Sequence, residues 1–98
     1  MTTVFHIAEP ADWPPSGDEY TAPSLATEGF IHCSTAEQLD GVAEAFYAGR
    51  TDVTVLTIDE RAVADTLVYE DLYDHGDEFP HVYGPIPVSA VLESRPLR

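Results

Sequence analysis

Lysine is absent from this chain, and its 4 basic residues are all arginines: Arg50, Arg61, Arg95 and Arg98. Without a lysine amine there is no Schiff-base chemistry and no phosphate-cradling P-loop. The shortage of cations also removes the basic patch on which nucleic-acid affinity depends. Against those 4 arginines stand 18 Asp and Glu, giving a formal charge of −14. A field of that sign repels polyanions, so the chain is expected to have no nucleic-acid partner. Cysteine occurs once, as Cys33, so no disulfide can close within the chain and a reducing, cytoplasmic setting is expected. No apolar run approaches the roughly 18 residues of a membrane-spanning helix, so no membrane association is expected. The start, Met1 to His6, lacks the basic stretch and apolar core of a signal peptide. Internal repeats and linkers are missing too.

What is present suits one small folded unit over residues 1–98. The hydrophobic fraction of 44% is too high for a disordered chain. Val4–Ala8 reads as a first strand, and Pro10–Trp13 as a single helical turn halted by Pro14 and Pro15. Residues 16–24 read as a loop and Gly29–Cys33 as a second strand. Ser34 is the expected N-cap of the main helix, with Glu37 completing a capping box. Leu39, Val42, Ala43, Phe46 and Tyr47 then recur with the spacing of one buried helical stripe, and Gly49 is the expected stop. The helix therefore spans about 35–48. Val53–Ile58 is a β-branched strand, Glu60–Ala64 a helical turn, and Thr66–Glu70 a further strand. Asp71–Glu78 is an acidic loop in which His75 is solvated. Phe79–Gly84 is extended, and the nearby Pro85 and Pro87 argue against a central place in a sheet. Val88–Ala90 is a turn and Val91–Ser94 a last strand. The fold class is α+β.

Three histidines sit in apolar or proline-framed settings: His6, His32 and His81. Alternation puts Phe30 and His32 on one strand face, Val4, His6 and Ala8 on another, Val68 with Glu70, and His81 with Tyr83. Polar side chains on buried faces need partners, so His6, His32, His81, Tyr83 and Glu70 are expected to line one cleft. Taken singly, each histidine also fits a satisfied core residue. Zinc ligation by His6, His32, Glu70 and His81 is open, but their spacings of 26, 38 and 11 residues lack the close pairs of structural zinc sites. A carboxylate pair for glycoside hydrolysis carries almost no signal among so many acids. Cys33, just before a helix start, could serve as a nucleophile with His32 or His81, or simply be a buried hydrophobe. The N–H groups after Ser34 could hold an anion or be capped by that serine.

Ser24–Ser34, which contains Gly29-Phe30-Ile31-His32-Cys33-Ser34, followed by Gln38, Phe79-Pro80-His81-Val82-Tyr83-Gly84-Pro85 and Ala90-Val91, resembles a small bacterial family of unknown function over nearly the whole chain. Some of its members are labelled glutathione S-transferase-like, for which this chain is too short and lacks a thioredoxin-like βαβ pattern. The resemblance implies a compact ADP-ribosyltransferase-like fold, with short strands in two small sheets and one main helix. Such a fold grips NAD between its sheets. Carried over by position, His6 would hold a ribose hydroxyl. Glu70 would be the catalytic carboxylate that stabilises developing oxocarbenium charge, with His32 beside it. His32 and Tyr83 would contact the base, and Ser34 and His81 would complete the ligand-binding set. The second motif position carries no tyrosine, and no arginine sits inside either motif. The resemblance leaves two functions open: a noncatalytic module that binds a nucleotide-like ligand or a protein, and an ADP-ribosyltransferase-like enzyme using NAD. Metal binding is a third, and no oligomeric state is implied.

Overall fold

In the computed structural model, residues 2–74 and 76–98 are described. The expected solvation of His75, and the reading of Met1, lie outside the described residues. Among the described residues there are three short antiparallel sheets and one main helix, where the resemblance implied two sheets. The first sheet holds β1 (Thr3–Ala8), β4 (Thr54–Asp59) and β8 (Val91–Pro96) in the order β1-β4-β8. β2 (Glu19–Tyr20) pairs with β7 (Ile86–Pro87). β3 (Ile31–His32) and β5 (Leu67–Glu70) flank β6 (Phe79–Val82). The third ribbon was invisible in the sequence because two residues per strand are too few to show alternation. Residues 16–24, expected to be loop, thus contribute β2 and the start of α1 (Pro23–Thr27), which has proline in its first turn where the missing N–H costs nothing.

The central strand β4 carries Val55, Leu56 and Ile58, each fully buried. Burial of that kind stabilises by about 1.5–3 kcal/mol per side chain. Its two faces feed two cores. Val55 packs with Ile7, Leu39, Ala43 and Val53 beneath α2 (Ala36–Phe46). Leu56 and Ile58 pack with Val4, Tyr20, Ile31, Val82 and Ile86 beneath the smaller sheets.

The main helix starts one residue later than its sequence suggests. Ser34 is not the cap, because its N–H and C=O are both spent on Phe5, at 2.7 and 2.8 Å. The chain leaves the sheet only at Thr35, whose side chain accepts from the Gln38 N–H while the Gln38 side chain accepts from the Thr35 N–H. Gln38 also donates to the Asp77 carboxylate at 3.0 Å and the Glu78 carbonyl at 2.8 Å. The helix ends at Phe46, short of the expected 48, and Gly49 adopts φ +76° in the turn that follows. Leu39 and Ala43 are buried as their spacing requires, but Phe46 is 76% exposed.

β6 is the middle strand of its sheet, against the expectation drawn from Pro85 and Pro87. Those prolines lie beyond its end. Pro80 is tolerated inside it because its carbonyl still accepts from the Cys33 N–H at 3.0 Å, and the missing donor falls where β3 has stopped.

Candidate functional site

The Phe5–Ser34 bridge ties β1 to the end of β3 at one point, and beside it lies a cleft of about 790 Å3. His6, Tyr20, His32, Ser34 and His81 all line it, as do Tyr47 and Phe79. Glu9, Asp12, Glu28 and Arg50 contribute its charged groups. A second, more open groove of about 810 Å3 runs between α2 and residues 76–79, and among the described residues no histidine lines it.

β1 turns His6 toward the core, where it is 7% exposed. Its Nδ1 lies 2.6 Å from the His32 carbonyl and its Nε2 lies 2.7 Å from the Tyr20 hydroxyl. A carbonyl can only accept, so Nδ1 carries the proton. In the neutral ring Nε2 must then accept, and the Tyr20 O–H donates to it. Burial holds the His6 pKa down to about 4, opposed by the His32 carbonyl and assisted by the charge of His32. Burial likewise pushes the Tyr20 phenol well above its ordinary value. Trp13 meets the Tyr20 ring edge-on, with centroids 5.7 Å apart.

His32 and His81 are cross-strand partners on β3 and β6, with ring centroids 5.6 Å apart. Phe30 stacks on His81 at 4.3 Å and meets His32 edge-on at 4.9 Å. His32 Nε2 lies 3.1 Å from Glu28, and His81 Nδ1 lies 2.9 Å from Glu70. The Tyr83 hydroxyl also donates to Glu70. Those two donors hold the Glu70 carboxyl below the usual range, Tyr83 more than His81.

Of the residues singled out in the sequence, His6, His32, Ser34 and His81 share the cleft. Glu70 and Tyr83 are not among its walls, contrary to expectation. The reason is topological: β6 separates β5 from β3, so Glu70 holds His81 from the side away from the cleft. Cys33 is 4% exposed in the core, and burial raises its thiol to about 12, which removes it as a thiolate nucleophile at neutral pH. Among the described residues no group of three metal-ligating side chains converges, so the zinc set does not assemble. No helix among them is long and apolar enough to cross a membrane.

Sequence reasoning missed Tyr20, Glu28 and Arg50. Tyr20 sits between Glu19 and Thr21 in a stretch with no periodicity to mark it. Arg50 makes bonds of 2.8 and 2.9 Å to Asp52 and of 2.7 Å to Glu9. It is therefore spent on two carboxylates, and those bonds raise its already high pKa further.

The fold has solved relatives. A crystal structure of protein CC0527 from Caulobacter crescentus superposes with a TM-score of 0.88 at 26% identity, over 99% of this chain and 87% of that one. The solution NMR structure of CC0527 gives 0.79 at 28% identity, over 97% and 84%. No curated protein matches the chain. The family described as Protein of unknown function (DUF952) matches residues 7–94, and with that span covered the chain belongs to this family.

Proposed function

We propose that the cleft binds a small, uncharged, nucleoside-like molecule and that the chain acts as a ligand-binding module. The observation that carries this reading is a cavity of about 790 Å3 lined by three imidazoles and by the rings of Tyr20, Tyr47 and Phe79. That volume lies within the roughly 300–1,000 Å3 of ordinary small-molecule sites, and flat rings with a few polar atoms are their usual lining. The resemblance to the ADP-ribosyltransferases supports a nucleoside-bearing ligand.

The same resemblance implies NAD, and the residues do not suit it. The cleft's one arginine is committed to Glu9 and Asp52, and Asp12 and Glu28 are further acids beside it. A pyrophosphate would find no free cation among the described lining residues and two carboxylates beyond the arginine's own partners instead. Glu70, the implied catalytic carboxylate, is not among the walls of the cleft and is bonded to His81 and Tyr83. Binding therefore fits these residues better than ADP-ribosyl transfer. The lone, buried Cys33 thiol fits a reducing compartment such as the cytoplasm.

The test is an amide-shift NMR titration with adenosine, NAD, ADP-ribose and zinc in turn. Adenosine is expected to shift the amides of His6, Tyr20, His32 and His81. Silence with adenosine at millimolar concentration overturns the reading, and shifts with zinc alone would turn the case toward a metal site. Saturable binding of NAD with tighter affinity than adenosine would restore the nucleotide.

A further inference from the structure

We infer that the cleft selects ligands by a hydrogen-bond-donating head group, an exocyclic amino group on an aromatic heterocycle, and discriminates against the phosphorylated form of the same ligand. This inference rests on the binding reading above and names the ligand class.

The argument is a count of protons. Each imidazole in the cleft gives its N–H to the protein. His6 Nδ1 donates to the His32 carbonyl, His32 Nε2 to the Glu28 carboxylate, and His81 Nδ1 to the Glu70 carboxylate. All three acceptors are oxygens that cannot donate in return. In the neutral form of each ring, His32 is left with a lone pair on Nδ1 and His81 with one on Nε2. His6 Nε2 is taken up by Tyr20, and that bond spends the Tyr20 proton as well. The phenol oxygen keeps its lone pairs, so Tyr20 can meet a ligand only as an acceptor. The carboxylates of Glu9, Asp12 and Glu28 add more acceptors. Arg50, the cleft's cation, is occupied. Two hydroxyls lining the cleft, those of Ser34 and Tyr47, have no side-chain hydrogen bond among the described residues and can donate as well as accept, so lone pairs still outnumber free protons.

An acceptor-rich site rewards a ligand that brings protons and disfavours one that brings only lone pairs or negative charge. Rejection is the sharper effect, because a buried acceptor facing another acceptor is left without the water it lost.

The experiment measures dissociation constants on the full chain at pH 8, above the ordinary imidazole range. The probes are adenosine, purine riboside (the same ring without its amino group) and AMP. Adenosine is expected to bind about tenfold more tightly than purine riboside, the worth of about one good hydrogen bond. AMP is expected to bind more weakly than adenosine. In Tyr20→Phe the preference for adenosine should persist, since His6 Nε2 regains the lone pair that the Tyr20 proton had occupied; its loss in a folded variant would count against the inference. Equal or tighter binding of purine riboside, or tighter binding of AMP, overturns the inference while leaving the binding reading intact. Failure of all three probes to bind overturns both. If Tyr20→Phe does not fold, the probe series on the unaltered chain decides alone.

Discussion

Acidification from pH 7 to pH 5 should weaken the fold by about 2 kcal/mol through His6 alone. Burial lowers the His6 pKa from its ordinary 6.5 to about 4. At about 1.36 kcal/mol for each pH unit, that fall corresponds to about 3 kcal/mol when fully expressed. The sign follows from which state takes the proton. The unfolded chain binds it below pH 6.5, while the folded chain resists until about 4. The stability tied to this residue is thus fully present above 6.5 and drains away as the pH drops toward 4, most of it by pH 5. Structure explains the resistance. A proton on Nε2 would place a charge on a ring buried in the core, and that loss of hydration outweighs the acceptance the Tyr20 hydroxyl could turn to offer. Urea denaturation measures the effect. A chain this small has a slope near 1 kcal/mol per molar urea, so the midpoint should fall by about 1–2 M between pH 7 and 5. His6→Asn provides the control, since an amide can still donate to the His32 carbonyl but does not titrate. The carboxyls held low by their partners, Glu28, Asp52 and Glu70, lose their stabilisation only at more acid pH and do so in both chains. The reasoning is refuted if the two chains show the same change of midpoint over that interval.

Thr35→Ala should cost about 1 kcal/mol by removing the helix cap, which lowers Tm by roughly 4–8 °C in a domain of this size. Ser34→Ala should spare the helix, because that residue holds β1 through its backbone; thermal melts of the two variants settle which residue is the cap. Cys33, buried and raised to about 12, should react with an aromatic disulfide reagent at pH 8 only after unfolding in urea, and fast labelling of the folded chain would contradict its place in the core.

The long elements were legible because their physics is local. Val53–Ile58 announces a strand by β-branching and lies within one residue of the observed β4. The helix stripe was readable from Leu39 and Ala43. Its start was misread because Ser34 and Thr35 are both good caps, and only a contact with Phe5, distant in sequence, decides between them. The same limit governs the site. Alternation alone put His32 with Phe30 and His81 with Tyr83, and the rings of His32, His81 and Tyr83 all pack on Phe30. It could not show that β6 runs between β3 and β5, which is what sends Glu70 behind His81 and away from the cleft. Tyr20 was out of reach altogether, since its role depends on a two-residue pairing with Ile86.

The side chain of Gln38 acts as a rivet between two stretches of chain separated by 39 residues. It closes the first turn of α2 with one atom and holds Asp77 and Glu78 with the other. Neither partner can open without breaking bonds made by the same amide, so the helix start and the approach to β6 belong to one opening unit. Phe79, a wall of the cleft, comes next in the chain. Cutting the rivet, as in Gln38→Ala, should make the amides on both sides of it exchange with solvent together. The entrance to the cleft would then breathe at a rate set by a residue that does not line the cleft.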